Sequence, residues 1–318
     1  MAPTLPPGSS PRLSAEPTPH GQGTPGTGQN CAVLDNMADM HAPPPSPPPE
    51  VLEAFGLTDR VHPVPGGQGR AFRVGAVVLK PTEDPIEAQW ASALMDGLAQ
   101  EPGFDVPAPL RAGTGAYVAH GWTATGLVEG TTGPQGRWEP LIIAARAFHR
   151  ALAQMPRPDF LARRSNPWAV ADRVAWAEQT IDVAPEARTV YNGLLGLRRP
   201  VEMPSQLIHG DLTGNALFAE NHDPVIIDFS PYWRPTAYAE AIVAADGLLY
   251  YPGDVPAAVI GRPEEQWIQM MVRALIFRLV ASAELVGIGG RIPDDELQRF
   301  TRATATVERL AGTATTHQ

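Results

Sequence analysis

The chain is poor in cysteine and in positive charge. Its one cysteine, Cys31, cannot form an internal disulfide, and no Cys/His cluster has the spacing of a zinc site. The formal net charge of −10 leaves no excess of cations to neutralise a phosphate backbone. These absences exclude a disulfide-stabilised domain, a zinc-binding module and a protein whose main partner is nucleic acid.

Long uninterrupted apolar runs are missing as well. The most hydrophobic late stretch, Leu275 to Ile288, is broken by Arg278 and Glu284, which indicates a buried helix rather than a membrane span. The N-terminus has no apolar segment after a basic start, so no secretory signal is predicted. The expectation is a cytoplasmic protein with no membrane partner. The sequence gives no indication of the oligomeric state.

Lysine is almost absent, because 23 of the 24 basic residues are arginines. The one lysine, Lys80, ends the short apolar run that begins at Val77. Lysine carries a compact ammonium on a flexible stem, whereas arginine carries a wide planar fork. A site that needs one small cation beside a phosphate would resist replacement by arginine. Lys80 is therefore a candidate site residue, and the alternative is chance survival on the surface.

Composition divides the chain into a tail and a folded part. Residues 1–49 contain 13 of the 35 prolines and few apolar residues, so they are predicted to be a disordered, proline-rich tail. The remaining residues are apolar enough for a sizeable core, because 43% of the whole chain is hydrophobic. Their length suits two lobes that share a cleft.

Residues 50–130 are predicted to form a small lobe. A glycine-rich turn at Gly66, Gly67 and Gly69 lies between short strands, and Pro85 stands in the first turn of a helix that runs to about Leu98. The predicted strands are 60–64, 70–74, 76–80, 109–112 and 122–128, after a short helix at 50–55. This pattern predicts a mostly antiparallel sheet with one main helix.

Residues 131–318 are predicted to form a larger, mainly helical lobe. Leu141, Ala145, Phe148 and Leu152 fall on one helical face. Further helices are predicted at 170–181, 186–197, 236–250, 263–286 and 294–310, with a β patch at 206–208, 216–218 and 225–227. The fold class is therefore α+β, with two lobes and a cleft near residues 129–133.

The clearest motif lies in the β patch. Asp211 and Asn215 stand in the segment His209-Gly210-Asp211-Leu212-Thr213-Gly214-Asn215, and Asp228 ends the next pair of strands. The oxygens of Asn215 and Asp228 suit Mg²⁺, which takes one or two protein oxygens together with nucleotide phosphates. Asp211 is then free to accept or orient a hydroxyl proton. With a glycine turn and a strand lysine, these are the parts that phosphoryl transfer requires.

On these residues the chain resembles the aminoglycoside-phosphotransferase and choline-kinase-like superfamily, which has the protein-kinase fold. The resemblance covers roughly residues 50–315, and the Ser230–Pro235 run is similar to that of actinobacterial members. It implies a small β N-lobe at 50–130, a helical C-lobe at 131–318, and ATP and Mg²⁺ as cofactors. The implied activity is phosphotransfer to a hydroxyl group of a small molecule.

The resemblance also implies roles for individual residues. Asp211 would be the catalytic base, and Asn215 and Asp228 the Mg²⁺ ligands. The ATP-binding residues would be Gly66, Gly67, Gly69, Lys80, Glu87 and Glu129. Lys80 would hold the phosphates with Glu87 as its acidic partner, Glu83 being the second choice, and Glu129 would lie at the hinge beside the adenine. His209 is interpreted as a structural residue of the site.

Alternatives stay open at this point. Asp211 and Asn215 are separated by three residues, where family members usually have four, and this favours a nucleotide-binding pseudokinase that acts as a scaffold as the alternative from another class. A protein kinase is disfavoured because the motif is His-Gly-Asp and Asp-Phe-Gly is missing. A metal-dependent hydrolase built on His209, Asp211 and Asp228 is a third candidate.

Other residues have two interpretations each. Glu87 is either the partner of Lys80 or an ordinary solvated helix residue. The run from Tyr232 to Arg234 is either core packing or a wall of the acceptor site. The identity of the acceptor is not encoded in the motifs. An acidic pocket would favour a cationic acceptor, and Glu240, Asp246 and Asp254 are candidates for it.

A lysine-to-arginine substitution tests the special role of Lys80. Lys80→Arg is expected to weaken ATP affinity and turnover, because the wider guanidinium does not occupy the same slot between phosphate and carboxylate. ATP titration and steady-state kinetics on the purified variant measure this. Unchanged ATP affinity and turnover would make Lys80 an accident of codon usage.

Overall fold

The computed structural model describes residues 46–64, 70–98, 101–262, 264–287 and 290–315. Most of the predicted tail, and all of the predicted glycine turn at Gly66, Gly67 and Gly69, lie outside the described residues. Within these ranges the chain forms an antiparallel sheet followed by a mainly helical lobe, which confirms the predicted α+β class. No helix in the described part of the chain has the length and apolarity that crossing a membrane requires.

The N-terminal lobe is a five-stranded sheet with two helices. Its elements are α1 (Pro49–Ala54), β1 (Val61–Pro63), β2 (Phe72–Val74), β3 (Val77–Pro81), α2 (Pro85–Leu98), β4 (Val118–Ala119) and β5 (Trp122–Gly126). The strands lie in the order β1-β2-β3-β5-β4, and each neighbouring pair is antiparallel. Asp84 caps α2, because its carboxylate accepts the backbone N–H groups of Ile86 and Glu87 at 2.9 and 3.1 Å.

One predicted strand of this lobe, 109–112, is wrong. The segment pairs with β5 only at the isolated bridge between Pro109 and Thr125, which two backbone hydrogen bonds of 2.8 Å flank, and Val118–Ala119 forms the edge strand instead. The pairing stops after Leu110 because the next backbone N–H groups have other partners: Ala112 donates to the Ala116 carbonyl and Gly113 to the Ala54 carbonyl, both at 2.8 Å.

The C-terminal lobe is built around one long helix. Its helices are α3 (Trp138–Ala151), α4 (Pro167–Ala175), α5 (Arg188–Leu197), α6 (Thr236–Tyr250), α7 (Ala257–Ile260), α8 (Glu265–Val286) and α9 (Asp294–Thr315), with 3₁₀ turns at Asp159–Ala162 and Pro185–Ala187. α8 packs against α4, α6 and α9, so most of its surface is buried. It ends at Gly287, whose φ of 69° suits glycine.

The β patch of this lobe consists of two strand pairs. β6 (Gln206–His209) is antiparallel to β9 (Pro231–Arg234), and β7 (Ala216–Leu217) is antiparallel to β8 (Val225–Ile226). The pairing of β6 with β9 was not predicted, since the 230–235 run has no strand-like alternation. It places the turns after β6 and β8 side by side.

The aromatic core beneath this patch centres on Phe148 of α3. Its ring contacts Phe104, His209 and Phe229 with centroid distances of 5.2, 6.2 and 5.4 Å. The predicted face of α3 is confirmed, since Leu141, Ala145, Phe148 and Leu152 are all fully buried. Offset and edge-on ring contacts of this kind add to the energy of burial.

Two substitutions on α3 test this packing. Phe148→Ala is expected to lower the free energy of unfolding by about 3–5 kcal/mol, because it leaves a cavity between three aromatic rings. Ile143→Ala on the same helix is the matched control, since Ile143 is 54% exposed and its truncation should change stability by less than about 0.5 kcal/mol. Chemical denaturation of both variants measures the difference. Similar losses in the two would show that the ring cluster is not part of the stabilising core.

Candidate active site

Asp211 lies just beyond the end of β6, on a turn that only glycine permits. A Cβ at Gly210 would collide with the ring of Tyr232 on β9, so the backbone passes this ring only because residue 210 has no side chain. The Gly210 N–H donates to the Ser230 carbonyl at 2.9 Å. The strand pairing thus fixes the point at which Asp211 leaves the sheet.

Both carboxylate oxygens of Asp211 are held. Arg278 Nη2 donates to Oδ1 at 2.7 Å, and Asn215 Nδ2 donates to Oδ2 at 3.0 Å and to the Asp211 carbonyl at 2.7 Å. The Asp211 side chain is nevertheless 44% exposed. Its carboxylate is therefore oriented from below and open to solvent above.

The short 209–215 loop closes without a fourth linking residue. The Asn215 N–H donates to the Leu212 carbonyl at 3.1 Å, and Thr213 Oγ1 donates to Asp246 at 2.7 Å. These bonds curl the three-residue link so that Asn215 returns to Asp211. The short spacing thus still brings the two predicted site residues together.

Asp228 lies next to this loop in an unusual backbone conformation. Its φ is 50°, a left-handed value that is rare for a residue other than glycine. The preceding residue, Ile227, donates its N–H to the Asn215 carbonyl at 3.0 Å, which joins the two turns. Non-glycine residues held in such conformations cluster at functional sites, where the surrounding structure stabilises them.

Lys80 reaches Asp228 across the two lobes. Its Nζ forms an ion pair with Asp228 Oδ1, and both side chains are about two-fifths exposed. Lys80 lies on β3 opposite Thr123 of β5, so the sheet positions it rather than a loop. Four predicted residues, Lys80, Asp211, Asn215 and Asp228, therefore meet at one place.

The predicted pair of Lys80 with Glu87 is wrong in this structure. Glu87 instead receives two donors from Arg164, Nε at 2.9 Å and Nη2, while Arg164 Nη1 donates to the Pro231 carbonyl at 2.7 Å. Glu83, the second choice, pairs with Arg70 at 2.7 Å. The two-point fit of a guanidinium to a carboxylate accounts for the preference of Glu87 for Arg164.

His209 is fully buried beneath the turn. Its Nδ1 accepts the Asp211 N–H at 3.1 Å, so its Nε2 carries the proton and donates to the Ile227 carbonyl at 3.2 Å. Burial lowers the pKa of His209, which keeps the ring neutral. With both nitrogens engaged, His209 is not free to bind a metal, and the hydrolase built on it loses a ligand.

The sequence around this site matches a known protein family. Residues 60–232, more than half of the chain, match the Phosphotransferase enzyme family. The chain belongs to this family. Among curated proteins none matches the chain.

Solved structures show the same fold at low sequence identity. A thermostable mutant of aminoglycoside phosphotransferase APH(4)-Ia, in ternary complex with AMP-PNP and hygromycin B, is 16% identical, with a TM-score of 0.52 over 82% of this chain and 98% of that chain. The choline kinase LicA from Streptococcus pneumoniae is 12% identical, with a TM-score of 0.51 over 82% and 97%. A microcompartment-associated aminopropanol kinase is 13% identical, with a TM-score of 0.51 over 83% and 96%.

Glu129 lies in the connection between the two lobes of this phosphotransferase-family fold. It is exposed, and it follows β5 after two residues. Thr131 and Phe218 exchange two backbone hydrogen bonds of 3.0 Å, which fix this connection against the end of β7. A Cβ at Gly130 would lie 3.1 Å from the Phe218 carbonyl oxygen, so the close approach favours glycine.

The three acids considered for a cationic acceptor already have partners. Glu240 pairs with Arg146 and Arg262, at 2.8 and 2.6 Å. Asp246 binds Arg278, and Asp254 accepts the indole N–H of Trp138 at 2.6 Å. They therefore do not form an open acidic pocket in this structure.

The run after Asp228 is core packing and an ion-pair cluster. Tyr232 is buried against Phe277, with ring centroids 5.7 Å apart, and Arg234 pairs with Asp172 and Glu178 at 2.7 and 2.6 Å. Of the two interpretations of this run, packing is the one that these residues support.

No motif in the sequence marks Arg278 or Arg164 as a site residue. Arg278 stands out in the sequence only because it interrupts an apolar stretch. A charged residue in the middle of an otherwise buried helix needs a partner, and this is the signal that would have pointed to a buried acid. Arg164 stands in an irregular segment and gave no such signal.

The buried histidines generate a pH prediction. Burial lowers the pKa of His149 from 6.5 to about 3, and its Nε2 accepts the backbone N–H of His209 at 3.1 Å. As the pH falls, His149 therefore takes up a proton in the unfolded chain before it does so in the folded chain. Its contribution to the free energy of unfolding is fully present above pH 6.5 and is lost as the pH falls toward 3. His149 contributes a slope of about 1.4 kcal/mol per pH unit within this window.

His149→Gln is expected to remove about one proton from the pH dependence of unfolding between pH 6.5 and 4.5. Denaturant titrations at several pH values measure this slope. His222→Gln is the control, because His222 is exposed and should leave the slope unchanged. Equal slopes in wild type and His149→Gln would contradict the neutral, buried state of this ring.

Proposed function

We propose that this protein is an ATP- and Mg²⁺-dependent phosphotransferase that acts on a hydroxyl group of a small molecule. The observation that carries the proposal is the meeting of Lys80, Asp211, Asn215 and Asp228 from three separate stretches of chain. A cation from the sheet, a held carboxylate and two further oxygen ligands are what phosphoryl transfer requires. Membership of the phosphotransferase family and the kinase fold of the solved relatives support it.

The donor set fits Mg²⁺. Asn215 uses its amide nitrogen on Asp211, which leaves its carbonyl oxygen for a ligand, and Asp228 presents an exposed carboxylate. Two hard protein oxygens beside nucleotide phosphates suit Mg²⁺, which keeps most of its waters. When bound, the ion would neutralise charge on the phosphates. Asn215 and Asp228 are thus its proposed ligands.

Lys80 is the proposed phosphate-binding cation. Its ammonium is partly exposed at the cleft and, among the described residues, makes one ion pair, with Asp228, so it can turn to nucleotide phosphates by rotating its own side chain. Glu129 would lie beside the adenine. Roles for Gly66, Gly67 and Gly69 over the phosphates stay part of the proposal.

Asp211 is the proposed catalytic base. Its carboxylate would accept a hydrogen bond from the acceptor hydroxyl and take its proton as the oxygen attacks the γ-phosphorus. The new O–P bond forms while the bond to the β–γ bridging oxygen breaks, and ADP leaves with that electron pair. Catalysis would come mainly from positioning and electrostatics, because Asp211 is already oriented from two sides.

The class of acceptor follows from the relatives only in broad terms. Their names describe hygromycin B binding, choline phosphorylation and aminopropanol phosphorylation, all of which concern small hydroxyl compounds. We propose an acceptor of the same broad class. The paired state of Glu240, Asp246 and Asp254 gives no reason to favour a polycation.

The scaffold alternative rested on the short link between Asp211 and Asn215. Because the link closes on itself and returns Asn215 to Asp211, the geometry supports an active enzyme over a pseudokinase. A pseudokinase would bind ATP without transferring phosphate to any acceptor.

Two substitutions test the proposal. Asp211→Asn and Lys80→Ala are each expected to lower turnover of Mg·ATP by at least about tenfold with an acceptor found in a panel of hydroxyl compounds. ADP formation and mass spectrometry of the acceptor measure transfer. Asp182→Asn is the control for loss of one carboxylate, since Asp182 is exposed and outside the site.

The outcomes are distinct. ATP binding by wild type without transfer to any acceptor would favour the scaffold. Transfer that neither substitution lowers by tenfold would mean that the assigned roles are wrong.

A further inference from the structure

We propose that Arg278 is a positioning residue, which holds the Asp211 carboxylate through a buried network shared with Asp246 and Thr213. The inference rests on the proposed function, because it assigns to Arg278 the orientation of the proposed catalytic base.

Arg278 contacts two carboxylates at once. It lies in the middle of α8 and is only 1% exposed. Its Nε and Nη2 donate to the two oxygens of Asp246 at 2.7 and 2.6 Å, and Nη2 also donates to Asp211 Oδ1 at 2.7 Å. One guanidinium thus joins a buried carboxylate to the half-exposed carboxylate of the site.

Asp246 and Thr213 connect Arg278 to the short loop between Asp211 and Asn215. Asp246 on α6 is buried, and its Oδ2 accepts the Thr213 hydroxyl at 2.7 Å as well as Arg278. Thr213 belongs to the three-residue link between Asp211 and Asn215. The network therefore contacts the short loop at two points, the carboxylate of Asp211 and the hydroxyl of Thr213.

The ion pair between Arg278 and Asp246 is buried, and burying charge costs free energy. A buried ion pair often adds little stability compared with apolar side chains of the same volume, because desolvation offsets the attraction. Arg278 stands between Phe277 and Leu279 on α8, and Asp246 between Ala245 and Gly247 on α6, so their immediate neighbours are non-polar. Stability alone is thus a weak reason for this pair, whereas the bond to Asp211 is a direct link to the reacting site.

Arg273 shows what a structural arginine on the same helix looks like. It is also buried, at 4% exposure, and lies five residues before Arg278. Its Nη groups donate to Gln269 and to the Arg199 carbonyl, away from the 209–215 loop. The two arginines therefore form a matched pair for substitution.

The test compares Arg278→Lys with Arg273→Lys in the full-length protein. A single ammonium does not bridge Asp246 and Asp211 with the geometry of the guanidinium. Arg278→Lys is expected to lower kcat about tenfold or more and to leave KM for ATP within about twofold. Arg273→Lys should keep the wild-type kcat. Wild-type kcat in Arg278→Lys, equal losses in the two variants, or a change confined to KM for ATP would overturn the proposal.

A second pair covers the case in which Arg278→Lys does not fold. Thr213→Val keeps the shape of the side chain and removes only the bond to Asp246, so kcat should fall about threefold or more with KM for ATP unchanged. Thr304→Val is its control, because the Thr304 hydroxyl is buried on α9 without a hydrogen-bond partner among the described residues. Equal kcat in both threonine variants would argue against the network.

A third measurement does not depend on turnover. In protein labelled with ¹⁵N-arginine, the buried Arg278 Nη signals should shift in Asp211→Asn, while those of Arg273 should not. Absent phosphotransfer by wild type would defeat the proposed function and leave this contact to be judged by the shift. An unchanged Arg278 signal would overturn the contact itself.

Discussion

The ion pair between Lys80 and Asp228 is the contact on which the arrangement of the site depends. It is the point at which the β3 strand of the N-terminal lobe meets the turn after β8 in the C-terminal lobe. Sheet pairing fixes the position of Lys80, and Asp228 meets it from a left-handed backbone position in the turn after β8. Both groups are partly exposed, so the pair itself adds little to stability. Its importance is geometric, since it places the single lysine beside the loop that carries Asp211.

The residues beneath this ion pair form a packed layer in which the polar groups are hydrogen-bonded. His209 is neutral and bonds the backbone on both sides of the site, at Asp211 and Ile227. Phe148 packs beneath its ring, which excludes water and lowers the pKa of the imidazole. A strained residue such as Asp228 persists only where its surroundings determine its conformation, and this packed, fully bonded layer meets that condition.

The elements that depend on local sequence pattern were predictable from the sequence, whereas contacts between residues far apart in the chain were not. The helix predicted at 236–250 is α6, and the strand that ends in Lys80 is β3, because hydrophobic periodicity is a local property. The motif residues Asp211, Asn215 and Asp228 came from spacing, and the structure brings them together. The Lys80–Glu87 pair failed because Arg164, from an irregular segment 77 residues away, competes for Glu87. The contact of Arg278 with Asp211 spans 67 residues, and no local signal specifies such a contact.

The two kinds of cation at the site differ in how they hold their partners. Arg278 and Arg164 each grip a carboxylate with Nε and Nη2 together, on Asp246 and Glu87, so the charges on both sides are fixed in orientation. Lys80 contacts Asp228 through a single ammonium at the end of a flexible stem. A guanidinium in its place would favour a two-point grip on Asp228 and hold that carboxylate as firmly as the others. A lysine leaves this cation at the cleft edge able to exchange its partner, in a protein that uses arginine at every other basic position.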